Sequence, residues 1–118
     1  MKIMVSIYHN PRCSKSRETL ALLQEKGIAP EVVLYLETPP DVRTLKNLLQ
    51  QLGMSSARDL MRRKEDLYKE LNLADSQLSE DQLLQAMVEH PKLIERPIVI
   101  NGDQARIGRP PEVVLEIV

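Results

Sequence analysis

With 118 residues, 16 basic and 17 acidic side chains and a formal net charge of −1, the chain fits one domain, 1–118, and carries no global field to draw nucleic acid or a membrane. Neither Phe nor Trp occurs and Tyr occurs only three times, so stacking platforms for single-stranded nucleic acid are scarce and the core falls to Leu, Ile, Val, Met, Ala and the three tyrosines. The single cysteine rules out an internal disulfide, and polar residues interrupt the opening Met1–Ile7 too early for a membrane span or signal peptide, which makes a reducing cytoplasm the expected compartment.

Ile3, Val5 and Ile7 alternate with Met4 and Ser6, which predicts a first strand ending near Tyr8. The polar loop His9-Asn10-Pro11-Arg12-Cys13-Ser14-Lys15-Ser16-Arg17 follows, with Cys13 where the strand pattern gives way to a helical one. Leu20, Leu22 and Leu23 mark that helix, and Gly27 closes it in the left-handed conformation. Val32 to Leu36 is a short continuous apolar run and reads as a strand buried on both faces. Together these pieces make a βαβ unit with parallel strands, which sets Cys13 at the carboxyl end of the first strand.

Thr38-Pro39-Pro40-Asp41 opens a helix carrying Leu45, Leu48, Leu49 and Leu52 and stopped by Gly53. Shorter helical stretches are expected around Ala57 to Arg62 and Glu65 to Leu71. Ser79 with Gln82 forms a capping-box pattern ahead of Leu83, Leu84, Met87 and Val88, and His90-Pro91 ends that helix. This helical block, about residues 40–92, has no repeat and no Gly/Ser linker, and it reads as an insertion packed on the sheet. Ile98-Val99-Ile100, the turn Asn101-Gly102-Asp103 and Gln104 to Ile107 then predict an antiparallel hairpin. Gly108-Arg109-Pro110-Pro111 breaks the second strand, and Glu112 to Val118 is expected as a last helix with Val113, Val114 and Ile117 inward. The fold class is α/β, in the order βαβ, helices, ββα: a thioredoxin-like sheet with an inserted helical block.

The chemistry concentrates on Cys13. A thiol near pKa ~8.5 is only a few per cent ionised at neutral pH, and lowering it by about two units requires roughly 2.7 kcal/mol of preference for the thiolate. A helix N-terminus supplies a few tenths to about 2 kcal/mol, so a cation or further donor must add the rest. His9, Arg12, Lys15 and Arg17 are close in sequence, as are the hydroxyls of Ser14 and Ser16. His9 reads equally as a polarising partner and as a satisfied structural group. Ser16 stands where a Cys-x-x-Cys motif has its second cysteine, so an oxidised Cys13 needs a thiol from another molecule.

Arg96-Pro97 precedes the third strand and Arg109-Pro110 follows the fourth, and a guanidinium suits a tetrahedral oxyanion. Arg62, within Leu60-Met61-Arg62-Arg63-Lys64, is not singled out by spacing. A phosphatase loop of the low-molecular-weight type needs arginine where this chain has Thr19, so that cradle is absent. No His/Cys/Asp cluster has zinc spacing and no Gly-rich nucleotide loop occurs, so no metal and no bound cofactor are expected.

Tyr8-His9-Asn10-Pro11-x-Cys13-x-x-Ser16-Arg17, Leu34-Tyr35-Leu36-Glu37-x-Pro39-Pro40, His90-Pro91, Arg96-Pro97-Ile98-Val99 and Arg109-Pro110 occur in this order along nearly the whole chain. Together they resemble the ArsC-type, glutaredoxin-coupled arsenate reductases, in particular the shorter chromosomal branch. The resemblance implies that Cys13 attacks arsenate, that Arg62, Arg96 and Arg109 bind the oxyanion, and that His9 and Ser16 tune the thiol. It further implies a cis peptide at Arg96-Pro97, a cysteinyl-arsenic intermediate, glutathione as co-substrate and glutaredoxin as partner. Arg12 stands before the cysteine where other members carry a small residue, and Lys15 adds a second cation. Two further readings stand beside this one: a glutathione-linked thiol oxidoreductase with another substrate, and a non-catalytic regulator of the Spx type. Ser16 argues against the last, since those regulators commonly carry Cys-x-x-Cys.

Overall fold

The computed structural model describes residues 5–118. The chain divides into two compact units: one runs to Thr38 and resumes at Arg96–Val118, the other is Pro39–Glu95. The expected strand residues Ile3 and Met4 lie outside the described residues.

The first unit holds a four-stranded sheet of β1 (Val5–Tyr8), β2 (Glu31–Val33), β3 (Ile98–Asn101) and β4 (Gln104–Ile107), in the order β2-β1-β3-β4. β1 pairs with β2 in parallel and with β3 antiparallel, Ile7 facing Val32 on one side and Val99 on the other. The hairpin turns through Gly102 and Asp103, with Asn101 paired to Gln104 and Gly102 at φ 63°. Between β1 and β2 runs α1 (Ser14–Glu25), capped by Cys13. Past its end, Gly27 takes φ 77° while the amide of Ile28 reaches back to the Leu23 carbonyl at 3.0 Å, a left-handed closure only a residue without Cβ adopts at little cost.

α1 buries Ser16, Thr19 and Leu23, a stripe at helical spacing of which two members are polar. Val5, Ile7, Leu23, Val99, Val114 and Ile117 form the core of this unit, with Leu20 and Ile28 against it. The last segment, Pro111–Glu116, is a 3₁₀ helix rather than the expected α-helix. Two successive prolines at its start withhold amide donors, and the β-branched Val113-Val114 pair favours a short tight turn over a continuing α-helix. Val114 and Ile117 are buried as expected, Val113 only half so. Asn101 Nδ2 donates to the Ile117 carbonyl at 2.6 Å and ties this end of the chain to β3.

β2 departs from expectation. It ends at Val33, its Val32 is 44% exposed, and Leu34 to Leu36 turn away, the Leu34 carbonyl accepting from the amides of Glu37 and Thr38 at 2.9 and 3.0 Å. The strand forms one margin of the sheet, so its apolar run is not covered on both faces. Tyr35 is the residue of that run which is fully buried, its ring stacked on Tyr8 with centroids 6.2 Å apart.

The second unit contains α2 (Val42–Leu52), α3 (Asp66–Glu70) and α4 (Glu80–Glu89), with 3₁₀ turns at Ala57–Leu60 and Pro91–Leu93. Asp41 caps α2 by accepting from the Thr44 amide at 2.8 Å, Leu45 and Leu48 face inward, and Gly53 ends it at φ 73°. Ser79 and Gln82 form the expected capping box on α4, at 3.2 and 2.7 Å. The inward face of α4 is Leu83, Leu84, Ala86 and Met87; Val88 is only half-buried. Arg62 and Glu95 are brought side by side by two backbone bonds, Arg62 N to Leu93 O at 2.7 Å and Glu95 N to Leu60 O at 2.8 Å.

The Arg96–Pro97 and Arg109–Pro110 peptide bonds are both cis, the first as the resemblance implied. No helix among the described residues is long and apolar enough to cross a membrane. Gly108 sits where a Cβ would come within 2.6 Å of Thr19 Oγ1 and 2.9 Å of Pro97 Cγ. Thr19 is fully buried and its hydroxyl donates to the Lys15 carbonyl at 2.8 Å, so it has nowhere to move. Gly108→Ala is therefore expected to cost about 1–3 kcal/mol by overpacking. Urea unfolding of the variant checks this, and an unchanged midpoint would show that the Thr19–Pro97 contact yields.

Candidate active site

β1 delivers the chain to a loop whose shape is set almost entirely by its own polar groups. The His9 amide still belongs to the sheet, donating to Val33 O at 2.9 Å. Asn10 then organises the turn: its carbonyl accepts from the Cys13 amide at 3.0 Å and its Oδ1 from the Arg12 amide at 3.0 Å. Arg17 closes the far side, Nη1 donating to Pro11 O at 2.9 Å. Cys13 is left as the N-cap of α1 in extended conformation, half-buried.

Ser16, in the first turn of α1, is fully buried. Its Oγ accepts from the Asn10 amide at 3.0 Å and lies 2.6 Å from His9 Nδ1. Burial, and then the Arg17 charge, hold His9 below the usual imidazole pKa, so it is neutral at neutral pH. A neutral ring satisfies the bond either by accepting the Ser16 proton or by donating its own.

At the sulfur, opposing effects meet. Burial pushes the Cys13 thiol up; against it act the Ser16 amide, the Arg96 guanidinium by hydrogen bond and by charge, and the Lys15 amide, and the net result is a pKa below the ordinary thiol value. No close side-chain cap bond forms in α1, but these amides face the sulfur and favour its anion. Arg109 Nη2 donates to Sγ at 3.7 Å, and its Nε donates to the Arg96 carbonyl at 2.8 Å, so the two arginines are mechanically linked.

The first unit thus brings together Cys13, His9, Ser16, Arg96 and Arg109. Arg62 belongs to the second unit, one-quarter exposed, with Nη1 on Glu65 at 3.0 Å, Nε on Glu95 at 3.8 Å, and Lys92 3.7 Å from Glu65. Lys15 pairs with Glu18 at 3.4 Å on the exposed face of α1, a contact of little energetic weight. Sequence reasoning missed the part played by Asn10 in shaping the turn and the two carboxylates on Arg62; the three-residue spacing of Arg62 and Glu65 was the available signal for one of them.

Residues 8–117 match the model of the ArsC family. The chain belongs to that family. It is 73% identical over 118 residues to the uncharacterized protein YfgD of Escherichia coli (strain K12), covering 100% of this chain and 99% of that one. It is 58% identical over 113 residues to an arsenate reductase of Haemophilus influenzae, covering 96% and 97% of the two chains. Among solved structures, an arsenate reductase from Vibrio cholerae superposes with a TM-score of 0.97 at 67% identity, covering 100% of both chains. These matches carry the thioredoxin-like ArsC fold over the whole chain.

Two outcomes follow from the geometry of this ArsC site. Replacing Arg96 by Gln removes a charge and a hydrogen bond that favour the thiolate, so the Cys13 pKa must rise and the ionised fraction at neutral pH must fall. Thiolate absorbance or iodoacetamide alkylation across pH measures this. Ser16→Ala strands the buried His9 Nδ1 and the part-buried Asn10 amide, and is expected to cost about 1–3 kcal/mol in denaturant unfolding.

Proposed function

We propose that this chain reduces arsenate to arsenite, with Cys13 as the nucleophile and glutathione and glutaredoxin as the source of electrons. The observation that carries the reading is a half-buried sulfur held towards its anion by helix amides and Arg96, with Arg109 donating to it at 3.7 Å. Relatives at 58% and 67% identity bear the name arsenate reductase, which supports the choice of oxyanion.

In this reading the thiolate attacks arsenic(V), an As–O bond breaks, and the oxygen leaves as water after taking up protons. A glutathione thiol displaces a second oxygen in the same way. A glutaredoxin thiolate then attacks the glutathione sulfur; the S–As electron pair passes to arsenic, which becomes As(III), and a glutathione–glutaredoxin disulfide departs. Water cleaves the Cys13–As bond, releasing arsenite and regenerating the thiolate. The sum is arsenate plus two thiols giving arsenite, one disulfide and one water. The chain carries no second cysteine, so both reducing thiols come from other molecules. Such a cycle runs in a reducing compartment, the cytoplasm.

Arg96 and Arg109 neutralise charge on the arsenate oxygens as the sulfur attacks; a third oxyanion contact by Arg62 rests on the family resemblance alone. His9 and Ser16 hold the loop so that the sulfur meets the arsenic at a fixed angle. With glutathione, glutaredoxin and glutathione reductase present, arsenate-dependent NADPH oxidation is the measurement. Cys13→Ser should abolish it with the circular dichroism spectrum unchanged, and Arg109→Gln should lower kcat/KM by about 10²–10³, as loss of one oxyanion donor does elsewhere. Normal turnover by Cys13→Ser would sink the mechanism.

A further inference from the structure

A cleft of about 290 Å³ opens beside the Cys13 loop, walled by Asn10, Pro11 and Arg12 on one side and by Leu34, Leu36 and Glu37 on the other. Its volume lies at the lower end of small-ligand sites, roughly 300 Å³. Leu36, 41% exposed, gives it an apolar floor that solvent still reaches. The Leu34 carbonyl is already engaged by the Glu37 and Thr38 amides, which fixes that wall. At its rim stand one cation and one anion, Arg12 and Glu37, both exposed. Neither side chain forms an ion pair or hydrogen bond among the described residues, with each other or with any neighbour.

We propose that this cleft docks the tripeptide thiol γ-glutamyl-cysteinyl-glycine, Arg12 taking its glycine carboxylate and Glu37 its ammonium. The assignment rests on the reading that Cys13 exchanges with an external thiol. The match is one of charge and of register. The ligand carries a carboxylate at its glycine end and, at its γ-glutamyl end, an ammonium beside a second carboxylate that stays in solvent, and three extended residues span at most roughly 10 Å, the scale of a small cleft. Its carboxylate lies one residue after its cysteine, while Arg12 lies one residue before Cys13, with α-carbons ~3.8 Å apart across the peptide bond. Anchoring the carboxylate at Arg12 therefore brings the two sulfurs into the same neighbourhood. The apolar floor accommodates the methylenes of the γ-glutamyl arm.

The test uses the full chain without arsenate. Cys13 thiolate attacks a disulfide, forming a mixed disulfide and expelling the other half as thiolate, and intact-mass spectrometry times the step. Two probes are compared: glutathione disulfide and the uncharged bis(2-hydroxyethyl) disulfide. Their rate ratio cancels any change in the reactivity of Cys13 itself. Arg12→Gln and Glu37→Gln should each lower the ratio roughly 2- to 5-fold, the worth of one exposed ion pair, and the double variant by about the product. Lys26→Gln, an exposed cation beyond the other end of α1, should leave it unchanged. The assignment is overturned if both rim variants keep the parent ratio, or if Lys26→Gln lowers it equally. It is overturned in favour of a protein partner if the rim variants slow only the reaction with reduced glutaredoxin. Because arsenate is absent, a lost ratio with no arsenate turnover removes the substrate reading alone, and an unchanged ratio with normal turnover removes the docking assignment alone.

Discussion

One oxygen atom, Ser16 Oγ, joins the end of β1 to the beginning of α1. It takes the Asn10 amide in a part-buried bond and meets His9 Nδ1 in a buried one, where losing a partner is costly. That junction fixes where α1 starts, and the start of α1 fixes Cys13 as its cap. Everything the sulfur experiences follows from this placement: the amides of Ser16 and Lys15 on one side, the guanidinium groups from the margins of β3 and β4 on the other. Burial works against the charged sulfur, and the site exists because these groups together outweigh it.

The two arginines at the sulfur differ in how they are held. Arg96 acts on the thiol directly, while its main-chain carbonyl anchors the Arg109 side chain by Nε. An otherwise exposed guanidinium is thereby held in place beside the sulfur. Arg62 is restrained differently, by two carboxylates of its own unit.

Much of this was legible in the residues. Cys13 as a cap, the Ser79–Gln82 box, the hairpin at Gly102 and the left-handed Gly27 each rest on local rules that neighbouring residues satisfy by themselves. What stayed hidden depends on distant packing. Val32 looks like core because its neighbours are apolar, but its exposure is decided by where β2 falls in the sheet, which no short window contains. Thr19 looks like a surface residue of α1, yet its hydroxyl is satisfied by Lys15 O within the helix, and that lets it face the core. Arg96 and Arg109 were visible beside their prolines. The role of Arg62 came from the family resemblance, since its spacing carries no mark.

The cysteine lies near the start of the chain and the guanidinium that touches it lies 96 positions later. Within the loop Lys15 pairs with Glu18 and Arg17 with the Pro11 carbonyl, so the charge felt at the sulfur comes from the distant end of the chain. Part of what favours the thiolate is local, the Ser16 and Lys15 amides, and the rest arrives only when the last hairpin is seated against the first strand. The single cysteine therefore reaches its full acidity only where both extremes of the sequence meet.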